Sequence, residues 1–137
     1  NNPNNISKEL FNSIKEQENI TYIKFDKNIS KYFNNIDCAI LPSSREGMPR
    51  FLLEASSYGI PLIGSNVTGI NELIVEGYNG LLFDLNDFNS LKKVVLNFIN
   101  LKTKEKQNLG LNARKIIEAK FSSDIVINSY LKKINEI

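Results

Sequence analysis

Apolar residues recur along the chain with two alternating periods. Leu10, Phe11 and Ile14 share one face at helical spacing behind Ser7, a good N-cap, which predicts a helix from Ser7 to about Glu18. Ile20-Thr21-Tyr22-Ile23-Lys24-Phe25 alternates and predicts a strand. Ile29 to Ile36 predicts a short helix with Tyr32, Phe33 and Ile36 inward. Cys38-Ala39-Ile40-Leu41 is an unbroken apolar run, as expected of a strand buried on both faces of a parallel sheet. Pro49 suits the first position of a helix that runs to Tyr58 and stops at Gly59. Pro61-Leu62-Ile63-Gly64 predicts a second buried strand, Gly69 to Val75 a short helix, and Leu81-Leu82-Phe83 a last strand. Asp87 can cap a helix with Leu91, Val94, Val95 and Phe98 on its buried stripe, and two more helices follow, Lys104 to Lys120 and Ser123 to Ile134.

Strands alternating with helices imply a parallel sheet with helices on both faces. The expected fold is therefore α/β: a Rossmann-like sheet of about four strands, ending in a helical C-terminal segment. There is no internal repeat or low-complexity linker, so residues 1–137 read as one domain.

Composition removes several chemistries. No stretch of about 18 apolar residues exists, so no membrane span is expected. The polar start Asn1-Asn2-Pro3-Asn4-Asn5 is unlike a signal peptide, and a cytoplasmic location is expected. One cysteine, Cys38, allows no internal disulfide and is expected to pack in the core. The chain has no histidine, which excludes a Ser-His-Asp triad, a Cys-His dyad and any His-ligated metal. Tyr22, Tyr32, Phe33, Phe51 and Phe98 fall at inward positions and are expected to serve the core.

Charge is uneven beneath a net +2: residues 91–137 carry ten cations against four anions. Such a tail either solvates helix faces or meets an acidic membrane surface, at the inner face of the membrane. Nucleic acid is not an expected partner. Among 17 cations only Arg45, Arg50 and Arg114 are arginines, and the first two bracket one Glu-Gly pair.

That pair lies in the most informative segment, Pro42-Ser43-Ser44-Arg45-Glu46-Gly47-Met48-Pro49-Arg50-Phe51-Leu52-Leu53-Glu54-Ala55. In parallel α/β sheets, ligands bind beyond the carboxyl ends of strands. Here a strand ends, a loop follows and a helix starts. Its first N–H groups lack internal partners and its dipole is positive, which suits a phosphate or diphosphate. Gly47 leaves the loop bare for close approach, and Arg45 and Arg50 add cationic character. Glu46 and Glu54 could accept hydrogen bonds from paired hydroxyls, one holding a hexose and the other a ribose on either side of a diphosphate. By spacing alone they could equally be a helix-start acid and a solvated helix residue. Thr68 faces the same strand-end side as Glu46. Glu72 reads either as a ligand near ribose or phosphate or as a helix-start acid. No cluster suggests a metal.

The pattern Pro-Ser-x-x-Glu-Gly-x-Pro-x-x-x-Leu-Glu-Ala-x-x-x-Gly-x-Pro, from Pro42 to Pro61, resembles the signature of family 4 retaining glycosyltransferases, which have the two-domain GT-B fold. Gly69 to Glu72 resembles the family's Gly-x-x-Glu turn, and Glu76-Gly77-Tyr78-Asn79-Gly80-Leu81-Leu82 its Asp/Glu-Gly-x-Asn-Gly-Leu-Leu hairpin. Upstream, Ile20 to Phe25 and Ile36-Asp37 resemble a family strand and helix end. The polar start resembles the subgroup that builds lipid-linked surface polysaccharides.

The resemblance implies roles. Glu46, treated as the catalytic-site carboxylate, contacts hydroxyls of the donor hexose. The loop of Gly47, Met48 and Pro49, with Arg50, approaches the hexose and diphosphate. Glu54 binds the nucleotide ribose. The loop after Phe25 walls the base pocket, where Asp26 stands in place of the family's usual glycine. The donor is a nucleotide diphosphate sugar, with no cofactor or metal. The family's diphosphate-binding Arg and Lys and its acceptor-binding N-terminal domain are not among these residues. The chain therefore resembles half of a GT-B architecture without the first strand-helix-strand portion of that half, and is expected to be inactive alone. Two rivals stand beside transfer: a non-catalytic nucleotide-sugar-binding module, and a sugar-phosphate epimerase on a related fold, which would want a histidine.

Overall fold

The computed structural model describes residues 6–135, apart from the side chains of residues 123, 126 and 129. The polar start Asn1–Asn5 lies outside them. In chain order the elements are α1 (Lys8–Lys15), α2 (Ser30–Phe33), β1 (Ala39–Leu41), α3 (Arg50–Ser57), β2 (Leu62–Ser65), β3 (Gly80–Phe83), α4 (Phe88–Asn100), α5 (Thr103–Lys120) and α6 (Ser123–Asn135).

The three strands form one parallel sheet in the order β1-β2-β3. Ile40 pairs with Ile63, and Ile63 with Leu81. Side chains alternate across a strand, so the apolar run of β2 serves two cores. Leu62 joins Ala39 under α3, where Leu52 and Ala55 are buried and Ala113 of α5 closes the cluster. Ile63 joins Leu81 and Phe83 on the other face, under Phe98 of α4 and Leu109 of α5. Full burial of one such leucine stabilises the fold by about 1.5–3 kcal/mol. The α/β class and the helices on both faces are as the sequence implied. So are the caps: Ser7 Oγ accepts from the Leu10 N–H at 3.1 Å, and Asp87 accepts from the Asn89 and Ser90 N–H groups.

Several expectations fail. Ile20–Phe25 makes no ladder, and the described sheet has three strands rather than four. Alternation specifies which side chains share a face, but a strand forms only when a neighbour takes its backbone groups. Here Ile20, Tyr22, Ile23 and Phe25 are exposed, Phe25 at 86%. Tyr22 is thus not a core residue; it meets Phe11 edge-on at 5.0 Å. Helix α1 ends at Lys15, short of Glu18, and buries none of its residues.

Residues 69–73 are turns and residues 74–75 are irregular, where the sequence predicts a helix. Gly69 holds φ +87°, outside the helical region. The Leu73 and Ile74 N–H groups both reach the Ile70 carbonyl, at 3.1 and 2.9 Å, and the run stops there. The buried Asn79 amide stops it, donating to the Leu73 carbonyl and accepting the Val75 N–H. Glu76–Asn79 forms a closed turn that leads into β3: Gly77 N–H donates to the Gly80 carbonyl, and Glu76 bridges Gly80 in the parallel sense. Pro49 is the N-cap of α3 and not its first residue.

Candidate functional site

Because β1 and β2 are parallel, their carboxyl ends open on the same edge. The chain leaving Leu41 runs through residues 42–49 into α3, and the chain leaving Ser65 runs through residues 66–75. Between these two exits lies a cleft of about 650 Å3, lined by Ser44, Arg45, Glu46 and Gly47 on one side and Asn66, Val67, Thr68 and Asn71 on the other. A Cβ at Gly47 would meet nothing within 4 Å, so the missing side chain leaves the outside of the loop open rather than serving internal packing.

The walls are tied together from behind. Ser65, fully buried at the end of β2, donates its hydroxyl to the Ser43 carbonyl. Ser43 donates in turn to the Arg45 carbonyl at 3.0 Å. Gly69 backs directly onto Glu46: a Cβ at position 69 would collide with the Glu46 carbonyl and lie 3.4 Å from the Glu46 Cβ. Across the cleft, Asn71 Nδ2 donates to Asn66 Oδ1 at 3.0 Å.

Helix α3 starts beside this cleft. Pro49 offers no side-chain cap and the first turn carries no acid, so nothing on the helix neutralises its positive end. Arg50 is largely exposed and lies 3.8 Å from the half-exposed Glu54 carboxylate, a loose i,i+4 pair that water screens. Pro49 is buried and Met48 is exposed.

The candidate residues thus divide. Arg45, Glu46, Gly47 and Thr68 share the cleft. Met48, Pro49, Arg50 and Glu54 continue from it along the loop and into α3. Glu72 is exposed and does not line the cleft. Asp26 lies on a separate cavity of about 420 Å3, whose apolar wall includes Phe25, Ile29, Tyr32, Phe33 and Phe51. Phe51 and Glu54 are three residues apart on α3 and so neighbour each other on its surface, which sets this apolar cavity beside the Glu54 carboxylate. Asp26 is tied to its own loop: Lys31 Nζ approaches at 2.6 Å, the Asn28 N–H donates at 2.9 Å and Tyr32 Oη at 3.1 Å. Hydrogen bonding from Lys31, then from the Asn28 amide, holds its carboxyl below the usual carboxylate range.

Asn66, Val67 and Asn71 also line the cleft but are not candidates from the sequence, and Ser44 is there only as part of the segment 42–55. Their signal was positional: they follow strands whose carboxyl ends share one edge. Cys38 is partly buried against the α4 side, as expected, and burial followed by the nearby Asp37 charge pushes its thiol up to about 11. A second cleft, of about 500 Å3, lies at the amino end of β3 and contains no candidate residue. Among the described residues, no group of three His, Cys, Asp or Glu side chains could hold a metal ion, and no helix is long and apolar enough to cross a membrane.

Comparison with known proteins assigns this geometry to a family. Residues 5–116 match the family described as glycosyl transferases group 1. The chain is 28% identical over 137 residues to the capsular polysaccharide biosynthesis glycosyltransferase CapM of Staphylococcus aureus, covering 95% of this chain and 36% of that protein. It is 36% identical over 87 residues to the UDP-Gal:alpha-D-GlcNAc-diphosphoundecaprenol alpha-1,3-galactosyltransferase of Escherichia coli, covering 60% of this chain and 22% of that one. Among solved structures, Anabaena HepE in complex with UDP and glucose superposes with a TM-score of 0.85 at 21% identity, over 95% of this chain and 36% of that one. A glycosyltransferase from Rickettsia africae superposes at 0.83 and 24% identity, over 94% of this chain and 35% of that one. The chain therefore spans between 22% and 36% of the length of these matches. With the signature from Pro42 to Pro61 running past one strand-end cleft, the chain belongs to the group 1 glycosyltransferases and has the fold of part of the C-terminal domain of a GT-B glycosyltransferase.

Proposed function

We propose that this chain binds the donor in a glycosyltransferase that moves a hexosyl unit from a nucleotide diphosphate sugar to a hydroxyl acceptor, with retention. The acceptor is a lipid-linked or surface-polysaccharide intermediate, presented at the cytoplasmic face of the membrane. The acceptor-binding N-terminal domain belongs to the whole enzyme, and this chain alone does not turn over.

One observation carries the reading: Glu46 sits in the strand-end cleft beside the uncapped start of α3. Glu46 accepts hydrogen bonds from the donor hexose and orients it. The start of α3, with the backbone of Gly47 and Met48 and the cations Arg45 and Arg50, holds the diphosphate and stabilises the charge that develops on it as the bond to the sugar breaks. Glu54 holds the ribose, and the apolar cavity between Asp26 and Phe51 takes the flat base. The placement of Glu54 next to that cavity supports this order of subsites. Thr68 faces the sugar from the opposite wall.

Calorimetric titration with UDP and UDP-glucose tests the assignment. Glu54→Ala weakens both ligands about tenfold, the loss of one hydrogen bond to a charged group. Glu46→Ala weakens only the sugar-bearing one. If neither substitution changes either affinity, the assignment is wrong. A transfer assay with lipid-linked acceptors tests the other half of the proposal, and clear turnover by this chain alone would refute it.

A further inference from the structure

We infer that Ser65 is a positioning residue for Glu46, acting through the backbone of the loop that carries it. The inference rests on the reading of Glu46 as the sugar-binding carboxylate.

Ser65 is the last residue of β2, and its side chain is completely buried. A buried hydroxyl at the end of an apolar strand needs a partner. The partner is not in its own strand or helix but 22 residues back, the carbonyl of Ser43 at the start of the neighbouring exit loop. The backbone of Ser65 is fixed on both sides. It pairs with Phe83 of β3, and its carbonyl accepts the Val67 N–H at 2.8 Å. The hydroxyl is thus a rigid donor, and the Ser43 peptide is what it holds. Ser43 passes the constraint on through its own hydroxyl to the Arg45 carbonyl, the group adjoining Glu46. From the other side, buried Gly69 lets its loop close against Glu46 with no side chain between.

Glu46 itself has no hydrogen bond to a side chain or backbone donor among the described contacts, so its carboxylate is aimed by its backbone alone. Ser65 neither lines the cleft nor carries charge. It acts by keeping Glu46 where a sugar hydroxyl would meet it, and it contributes nothing to the diphosphate or base. That division separates positioning from a general structural role.

The test is a double-mutant cycle on the gain in affinity of UDP-glucose over UDP. Ser65→Ala is expected to cut that gain about fivefold and to leave UDP affinity within about twofold. Ser65→Ala combined with Glu46→Ala is expected to be no worse than Glu46→Ala. An equal loss for both ligands, or additive losses in the double variant, overturns the inference. If Glu46→Ala leaves the sugar-dependent gain intact, the reading of Glu46 fails instead. Amide hydrogen exchange needs no ligand: Ser65→Ala is expected to speed exchange at Arg45, Glu46 and Gly47 about tenfold while α4 is unchanged. No change at those amides overturns the inference whatever the ligands do. Should Ser65→Ala not fold, Ser43→Ala removes only the outer hydroxyl. It should produce a smaller change of the same kind at the same amides, and its absence is equally decisive.

Discussion

Two regions of this chain both carry apolar residues in amphipathic patterns and use them differently. Residues 39–121 stack a sheet between helices, and Leu52, Leu62, Ile63 and Ile70 lose all contact with water. Residues 6–28 contain Leu10, Ile14, Ile20, Tyr22, Ile23 and Phe25, and every one remains exposed. Amphipathic pattern is therefore not burial. A stripe stabilises a fold only when another element supplies the opposite face, and area left in water contributes nothing. The two candidate subsites inherit the contrast. The Glu46 cleft is braced by a buried hydroxyl and a glycine contact, whereas Asp26 is braced by exposed Lys31 and Asn28 and by half-buried Tyr32.

Substitutions can break this comparison. The largest effect is expected from Leu52→Ala, which opens a cavity in the fully buried cluster under α3 and should cost about 2–5 kcal/mol in urea unfolding; a cost below about 1 kcal/mol would mean that the packed region is not what holds the fold. Next comes Gly69→Ala. It forces a side chain into the left-handed backbone and against the Glu46 carbonyl, and should cost about 1–3 kcal/mol. Third is Cys38. Its thiol ionises near 9 when unfolded and near 11 when folded, so the folded state favours the protonated form. That preference is present in full below pH 9 and is lost as the pH rises from 9 to 11, so stability should fall across that window in the wild type and stay flatter in Cys38→Ala. Ser7→Ala should be smaller again for the whole molecule. It removes a cap worth about 1 kcal/mol to α1, seen as faster amide exchange at Leu10, with no shift in the global midpoint. Phe25→Ser should change stability by less than about 0.5 kcal/mol; a loss above about 1.5 would show that the exposed region is load-sharing after all.

The same contrast explains what was legible in the sequence. The runs at Ala39–Leu41, Leu62–Ser65 and Gly80–Phe83 are short, apolar and bounded by glycine or proline, and each became a strand. α3, α4 and α5 were legible because their stripes match a sheet face that exists. Ile20–Phe25 has an equally clean alternation, but pairing is a property of two segments and one sequence window contains only one. Residues 69–75 failed for a local reason: the sequence shows a glycine, not its φ of +87°. In the cleft, Arg45, Glu46 and Gly47 are legible from the loop-helix pattern and the resemblance, and Thr68 from its place just after a strand. Asn71 was not, because nothing local distinguishes an asparagine that faces a cleft from one that faces solvent. Ser65 was detectable in principle as a small polar residue closing an apolar strand, yet its partner lies 22 positions away.

Gly64 sits in the middle of these contacts. A Cβ there would strike the Ile70 methyl and lie 2.9 Å from Ile74 Cδ1. The two isoleucines fill a dimple in the sheet left by the absent side chain, and the loop that carries Thr68 is seated through them. The depth of that dimple sets how far the second wall stands from the first. Cleft width is thus tied to the sizes of three residues that do not line the cleft. Changing Gly64 to alanine would lift the wall unless Ile70 shrank to valine in step, so these positions are expected to vary as a matched set wherever the cleft keeps its dimensions.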